Sequence, residues 1–166
     1  MVLKTIPTFS KMYAMLPIEV QKLLDKCADT PQSVKWHPEG DVLVHTKIVY
    51  ERARKTGDIN LAIAAIFHDL GKVKTTKRNK SGNWAAHGHE FVSARIVEDH
   101  KKWIGSTGAR FMKVKEIVGL HMRIKQMDKM RKHKQEALLT HRFYDDLRKF
   151  TECDNMKTLT EAERKL

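Results

Sequence analysis

Apolar residues recur at helical spacing along most of the chain, whereas strand-like alternation is limited to fragments such as 42–44 and 72–74. Those fragments are too short to build a sheet, and a period of about 3.6 residues is typical of amphipathic helices. Glycine, proline and polar capping residues divide the pattern into segments. The pattern therefore predicts an all-α fold with helices over approximately 17–29, 43–55, 58–71, 88–103, 109–125 and 136–156.

The same spacing predicts which side chains face the core. In the last predicted helices, four residues share one face at i, i+4, i+7 and i+11: Phe143, Leu147, Phe150 and Asp154. We therefore expect Asp154 to lie on an inward face beside aromatic rings. The inward positions predicted for the helices over 17–29 and 88–103 are Ile18, Leu23, Leu24 and Cys27, and Phe91, Ala94 and Val97.

The length of the chain, 166 residues, is that of one domain. We expect this domain to span residues 1–166. Residues 1–35 are predicted to form an N-terminal helical segment packed on the rest, and residues 158–166 a polar tail.

No membrane segment or cysteine framework is apparent in the sequence. The longest apolar run, 59–67, is far shorter than the roughly 20 residues of a spanning helix, and the start at Met1 lacks a basic and apolar leader. Cys27 and Cys153 have no CxxC partner, which argues against disulfides and thiolate zinc sites. These features predict a soluble, cytoplasmic protein with no membrane partner.

The net charge of +12 points to anionic partners, because a strongly basic protein attracts phosphorylated ligands over long range. Much of the excess lies in two basic runs, 72–80 and 123–134. We expect residues 72–84 to form a mobile basic loop. Such runs can also be ordinary solvated faces, and this alternative stays open.

The pair His68-Asp69 follows an apolar run rich in small residues and is the most informative local feature. An imidazole and a carboxylate are costly to bury unless a metal ion or another partner uses them. His45, on the preceding predicted helix, and Asp154 are further candidate ligands. Nitrogen and oxygen ligands together suit a divalent ion such as Mn, Fe, Co, Ni, Zn or Mg, and the sequence does not choose among them.

Other polar residues lie near these candidates in the sequence. His89 and His121 could complete a second metal position if Asp69 bridges, so one or two ions are possible, or they could act as substrate donors. Lys72 and Arg123 are candidate contacts for a substrate phosphate, and His87 is close enough to His89 to join them. A separate question concerns the rings of Trp36 and Trp84, which could stack on a base or pack in the core.

These motifs resemble the HD-domain phosphohydrolase superfamily, which is known as an all-helical bundle around a metal centre. Four strings are similar to the HD domain of bacterial CCA-adding tRNA nucleotidyltransferases: HPEGDVLVHT at 37–46, FHDLGK at 67–72 followed by Thr75-Thr76, HGHE at 87–90, and LHM at 120–122. In those enzymes the HD domain is associated with phosphatase, phosphodiesterase and 2',3'-cyclic phosphodiesterase activity.

The resemblance implies ligand assignments. It makes His45, His68, Asp69 and Asp154 metal ligands and matches His89 and His121 to further histidines of the family. Asp145 or Asp146 could take the place of Asp154 without changing the class. The chain has no room for the nucleotidyltransferase domain of those enzymes, so we do not expect CCA addition.

The resulting hypothesis is a metal-dependent phosphohydrolase that cleaves a phosphate ester of a nucleotide or of an RNA end. Its partner would be a phosphorylated small molecule, a nucleotide or an RNA end. The expected catalytic residues are Asp69, Lys72, His89 and His121, with Lys72, His87 and Arg123 contacting the phosphate. Alternatives are a nucleotidase or dNTP triphosphohydrolase, a non-catalytic nucleic-acid-binding or regulatory HD module, and a purely structural metal site. The oligomeric state stays open.

Overall fold

A computed structural model describes residues 2–166 and confirms the all-α prediction. In this part of the chain the only strands are the two-residue antiparallel pair β1 (Lys77–Arg78) and β2 (Trp84–Ala85). The α-helices are α1 (Phe9–Met15), α2 (Ile18–Cys27), α3 (Val42–Lys55), α4 (Ile59–Phe67), α5 (Lys72–Thr75), α6 (His89–Asp99), α7 (Lys101–Ser106), α8 (Phe111–Lys125), α9 (Lys132–Leu139) and α10 (Tyr144–Cys153).

Side-chain caps set the start of α3, which carries His45, and of α4, which His68 and Asp69 follow. The Asp41 carboxylate accepts a hydrogen bond from the Val44 amide at 2.9 Å and caps α3. The Asp58 carboxylate accepts from the Asn60 amide at 2.9 Å and caps α4. Such caps satisfy backbone donors that a helix start leaves free, so they fix where each helix begins.

Helix α4 is the central helix of the bundle. Residues 61–67 are completely buried, and α4 contacts α3, α6, α8 and α10. Ala62, Ala64 and Ala65 present only a methyl group each, which permits close approach of the neighbouring helices. Helix α8 contacts α6 and α10 as well, so the polar residues at the end of α4 are surrounded by other helices.

The N-terminal helices pack on α3. The Tyr50 hydroxyl donates to the Pro7 carbonyl at 2.8 Å, and the Phe9 amide donates to Glu51 Oε1 at 2.9 Å. Met12 of α1 and Leu24 of α2 are fully buried in the core. This segment therefore shares the apolar core of the bundle.

The prediction of an inward position is wrong for two residues. Ile18 is 57% exposed, because the buried face of α2 is formed by Val20, Leu24 and Cys27. Phe91 is 68% exposed, because His89 and Ser93 occupy the inward face of α6. A residue two positions away lies about 200° around the helix, so the polar residues of the centre displace Phe91 to the surface.

The basic segment 72–84 is more ordered than the predicted loop. It begins with the helical turn α5, in which Lys72 is only 8% exposed, and continues into the β1–β2 pair. Two predicted helices are also divided: 88–103 breaks at His100 into α6 and α7, and the C-terminal stretch breaks between α9 and α10.

Within residues 2–166, no helix combines the length and the apolar character needed to cross a membrane.

Candidate metal centre

Five chain segments bring six predicted ligands together. His45 lies on α3, His68 and Asp69 follow α4, His89 begins α6, His121 lies on α8 and Asp154 follows α10. Each of the six is at most 4% exposed. We call these six residues the metal centre.

The first cluster consists of His45, His68, Asp154 and one oxygen of Asp69. The two imidazole Nε2 atoms of His45 and His68 lie 3.2 Å apart. Asp154 Oδ1 lies 2.8 Å from His45 Nε2, and Asp69 Oδ2 lies 3.2 Å from His68 Nε2. Nitrogen and oxygen atoms thus converge on one point.

The second cluster consists of His89, His121 and the other oxygen of Asp69. The Nε2 atoms of His89 and His121 lie 3.1 Å apart. Asp69 Oδ1 lies 3.1 Å from His89 Nε2 and 3.6 Å from His121 Nε2. Asp69 therefore faces the two clusters with separate oxygens, which is the arrangement of a bridging carboxylate.

The outer ring nitrogens determine which protons the imidazoles carry. Each Nδ1 atom donates to an oxygen that can only accept: His45 to Glu39 Oε1 at 2.6 Å, His68 to the Ala65 carbonyl at 2.8 Å, His89 to the Ala86 carbonyl at 2.7 Å, and His121 to the Val118 carbonyl at 2.6 Å. In their neutral forms, all four inward Nε2 atoms then present lone pairs, because a neutral imidazole has one N–H. Facing lone pairs repel unless a cation lies between them.

The buried carboxylates complete the argument for a cation. Asp69 Oδ2 and both Asp154 carboxylate oxygens are buried without a hydrogen bond of good geometry, although Lys72 lies near Asp69 Oδ2 and Lys125 near Asp154 Oδ2; Asp154 Oδ1 has no lysine beside it. Orphaned polar atoms of this kind are costly. The sets His45, His68, Asp69 and Asp69, His89, His121 each place three ligand atoms within 4.8 Å of one another. These residues fit one or two divalent ions, whose identity the ligands do not fix.

The pKa shifts of the ligand side chains indicate which of them are charged. Burial would raise the pKa of Asp69, but His68 and Lys72 outweigh it and lower the pKa well below the usual range. Burial would likewise raise the pKa of Asp154, but Lys125 and the hydrogen bond with His45 lower it well below the usual range. Burial lowers the pKa of His121 to about 4, so this imidazole is neutral. Burial would also lower the pKa of His68, but Asp69 and Asp154 outweigh it and raise this pKa to about 9. Without an ion, His68 therefore carries the proton that balances the two ionised carboxylates, and a divalent ion would take its place.

Glu39 supports the metal centre and was not foreseen. Its fully buried side chain accepts from the Nδ1 atoms of His37 at 2.9 Å and His45 at 2.6 Å. Burial would raise the pKa of Glu39, but these two hydrogen bonds outweigh it and lower the pKa to about 2. A carboxylate behind a ligating imidazole fixes the orientation and increases the basicity of the ring. The only sequence signal was the position of Glu39 inside the HPEGD string.

Two lysines reach the carboxylates of the centre. Lys72 Nζ lies 2.9 Å from Asp69 Oδ2 and donates to Gln32 Oε1 at 2.7 Å. Lys125 Nζ lies 2.5 Å from Asp154 Oδ2, and although burial opposes its charge, Asp154 raises the pKa of Lys125. Lys125 and Gln32 were not singled out from the sequence. The spacing of Lys125, four residues after His121, would have placed it on the ligand face of α8.

Arg52 anchors the backbone on both sides of Asp154. Its guanidinium donates to the Asn155 carbonyl at 2.7 Å and to the Cys153 carbonyl at 3.3 Å. It also makes a two-pronged ion pair with Glu163, at 2.6 and 3.0 Å. The C-terminal segment is thereby tied to α3, which places Asp154 opposite His45.

Gly71 permits the close approach of α5 to α6. A Cβ atom at this position would lie 2.2 Å from the His89 carbonyl oxygen and 2.9 Å from Ser93 Oγ. The Gly71 amide donates to Ser93 Oγ at 2.8 Å instead. This contact brings Asp69 to His89, so the glycine after the His-Asp pair has a geometric role in the centre.

Two predicted phosphate contacts lie outside the ligand clusters. His87 is exposed, two residues before His89. Arg123 is exposed and lines a separate cavity of about 200 Å³ with Leu120, Lys134, Ala137, Leu138 and His141. Contact of His87 or Arg123 with a phosphate stays a prediction.

Comparisons with known proteins give one family and one group of relatives. The chain is 39% identical over 99 residues to a "Multifunctional CCA protein" of Herminiimonas arsenicoxydans, covering 54% of this chain and 22% of the relative. It is 38% identical over 76 residues to the protein of the same name from Dechloromonas aromatica, covering 45% of this chain and 18% of the relative. A third protein of this name, from Shewanella frigidimarina, is 42% identical over 69 residues, covering 40% of this chain and 16% of the relative.

The chain therefore spans less than a quarter of the length of these relatives. No solved structure gave a significant match. Residues 42–156 match the family described as HD domain, and this range contains all six residues of the metal centre. The chain belongs to the HD-domain family, the superfamily of metal-dependent phosphohydrolases.

Proposed function

We propose that this protein is a metal-dependent phosphohydrolase that cleaves a phosphate ester of a nucleotide or of an RNA end, including a 2',3'-cyclic phosphate. The observation that carries this proposal is the pair of clusters that share Asp69. Four inward Nε2 atoms meet the buried carboxylate oxygens of Asp69 and Asp154 there, and Lys72 and Lys125 each reach one of these carboxylates.

The residues supply the support for a hydrolytic reaction. A divalent ion held in the clusters would provide a nucleophile at neutral pH and polarise a phosphoryl oxygen. We assign His45, His68, Asp69 and Asp154 to hold it. Asp69, which faces both clusters at 3.1 to 3.2 Å, is placed to orient an attacking water activated by the ion.

His89 and His121 fit a second ion position better than a role as proton donors. Their Nδ1 protons are directed away from the centre to the carbonyls of Ala86 and Val118, so neither has a proton facing the substrate side. Loss of either imidazole would then lower metal content together with activity.

Lys72 and Lys125 are placed to hold the substrate phosphate. Each Nζ lies within 3 Å of a carboxylate of the centre, so a phosphate bound there comes within reach of both ammonium groups. Fixed cations at this position stabilise negative charge that develops on the phosphoryl oxygens. The sequence motif already suggested Lys72 for this role, and we add Lys125 because of its contact with Asp154.

The relatives support the nucleotide or RNA part of the proposal by their name, "Multifunctional CCA protein". We do not extend CCA addition to this chain, because the similarity covers only 16 to 22% of those proteins.

The test measures hydrolysis by the purified protein, metal-stripped and then resupplied with Mn, Ni, Co, Mg or Zn. The substrates are p-nitrophenyl phosphate, bis-p-nitrophenyl phosphate, 2',3'-cyclic AMP and a deoxynucleoside triphosphate. We expect metal-dependent turnover that Asp69→Asn abolishes and that the matched control Asp145→Asn retains.

Turnover only with free nucleoside triphosphates would establish the alternative, a dNTP triphosphohydrolase. A folded, metal-loaded protein without turnover on any ester would refute the enzyme and favour a nucleic-acid-binding module or a structural metal site. Salt-sensitive RNA binding that survives Asp69→Asn would identify the module.

A further inference from the structure

A surface cavity of about 330 Å³ lies beside the metal centre, between the end of α2 and the start of α3. We call it the proline cavity, after two of the residues that line it. The lining residues used below are Pro31, Gln32, Val34, His37, Pro38 and Asp41. Its volume lies at the lower end of the range of ligand-binding pockets, about 300 to 1,000 Å³.

Two walls of the proline cavity are connected to the metal centre. Gln32 Oε1 accepts from Lys72 Nζ at 2.7 Å, and Lys72 Nζ lies 2.9 Å from Asp69 Oδ2. The ring of His37 lies 5.0 Å from the ring of His45, centroid to centroid, and both rings donate to Glu39. One side chain therefore separates the cavity from the ligands on each route.

Three side chains beside the ligands are partly exposed and can meet a substrate from solvent. The six ligand side chains are at most 5% exposed. The neighbouring side chains of Lys125, His37 and Lys72 are 29%, 20% and 10% exposed. His37 lines the cavity, and Lys72 contacts its wall through Gln32. A phosphate that reaches Lys72 from this side leaves the rest of its molecule over the cavity.

The chemistry of the cavity selects an uncharged group. Its walls include the apolar side chains of Pro31, Val34 and Pro38, and within residues 2–166 no lysine or arginine lines it. Asp41 contributes a carboxylate, which repels a second phosphate, while Gln32 and His37 can hydrogen-bond to the edge of a polar ring. Apolar walls with a few polar groups among them suit a base and its sugar.

We propose that the proline cavity binds the nucleoside part of the substrate, with the reacting phosphate at Lys72 and the metal centre. This inference rests on the proposed function and narrows it. The substrate class is a nucleotide, free or at an RNA terminus, with a single reacting mono- or cyclic phosphate. A triphosphate chain does not fit the cavity, because the cavity offers it no cation.

The test uses adenosine and cytidine. These nucleosides carry no phosphate, so their binding can be measured without a metal ion and without turnover. We expect titration of the ¹⁵N-labelled protein to shift the backbone amides of residues 30–41, with smaller changes elsewhere. Val34 is 79% exposed, so Val34→Glu places a carboxylate in the cavity wall without disturbing the core. This variant should weaken nucleoside binding by about tenfold or more, because the ligand would have to bury a charge.

The matched control is Ile18→Glu, since Ile18 is also an exposed apolar residue, at 57%, and does not line the cavity. It should bind adenosine as the unaltered protein does. Absence of shifts at 30–41, shifts confined to the Arg123 cavity, or equal binding by Val34→Glu would each overturn the proposal.

The kinetic arm separates this inference from the proposed function. Val34→Glu should raise KM for 2',3'-cyclic AMP with metal content unchanged. Nucleoside binding at 30–41 without hydrolysis of any ester would refute the phosphohydrolase and leave the cavity assignment standing. Metal-dependent hydrolysis without nucleoside binding there would refute the cavity assignment alone.

Discussion

Removal of the Glu39 carboxylate should weaken metal binding although Glu39 is not expected to touch the ion. Glu39 accepts the Nδ1 proton of His45 at 2.6 Å and that of His37 at 2.9 Å. In Glu39→Gln a neutral amide oxygen can still accept these hydrogen bonds. In Glu39→Ala both are lost and the His45 ring is free to rotate.

The magnitude follows from the strength of these hydrogen bonds. A hydrogen bond to a charged group contributes about 1.5 to 3 kcal/mol, and a neutral one about half as much. Only the part that differs between the metal-free and metal-bound states affects affinity, so we expect about tenfold weaker binding for Glu39→Gln. For Glu39→Ala we expect a loss approaching about 100-fold, the upper range for partners of metal ligands.

Isothermal titration with Mn²⁺ or Zn²⁺, against a competing chelator if binding is tight, measures the effect. The matched control is Glu90→Gln. Glu90 Oε2 lies 3.8 Å from His89 Nδ1, but that nitrogen already donates to the Ala86 carbonyl, so affinity should stay within about twofold. If folded Glu39→Ala bound metal as tightly as Glu90→Gln, the orienting role of Glu39 would be refuted.

Four further predictions concern the same centre. A divalent ion at about 100 times its Kd should stabilise the fold by about 2.7 kcal/mol in thermal unfolding, and no shift in Tm would contradict the ligand assignment. Lys125→Met should lower kcat/KM about tenfold without changing the metal content. The control Lys129→Met, at an exposed lysine, should leave kcat/KM unchanged. Equal effects of the two substitutions would exclude a specific contact between Lys125 and the substrate phosphate. Arg52→Ala should reduce metal affinity about tenfold, because the backbone around Asp154 loses its anchor; unchanged titration curves would contradict this. Gly71→Ala should lower the free energy of unfolding, measured in urea, by about 3 kcal/mol, because the new Cβ meets the His89 carbonyl. In the control Gly119→Ala the Cβ meets only Ala94, at an ordinary 3.7 Å, so this variant should be neutral or stabilising. Comparable stability of the two variants would refute the packing argument.

The helices and the ligand residue types were accessible from the sequence because both depend on local order. The period of apolar residues predicted α3 and α8 closely. The helix predicted over 58–71 ends earlier, at Phe67, so His68 and Asp69 follow α4 instead of lying on it. Asp41 and Asp58 begin their helices as capping residues do. The His68-Asp69 pair was notable because two polar groups follow a completely apolar helix. Periodicity failed for Phe91, since it does not count a histidine and a serine as inward residues.

The hydrogen-bond partners of the ligands depended on contacts between distant segments. Lys125 reaches Asp154 across 29 positions of the chain, and Arg52 reaches the carbonyls on either side of Asp154 across about 100. Helical spacing says which face a side chain takes, but it does not say which residue of another helix lies opposite. The position of Lys72, buried between Gln32 and Asp69, is of the same kind.

The sequence by itself determined an all-α chain with an apolar α4 and a set of histidines and aspartates able to bind a divalent ion, because helix period and ligand chemistry are properties of local sequence. Only the tertiary structure decided that Asp69 faces two clusters with separate oxygens, that Glu39 and Lys125 support the centre, and that a cavity without cations adjoins it. Those features require helices from opposite ends of the chain to be packed at fixed distances, and packing of that kind is set by the whole core.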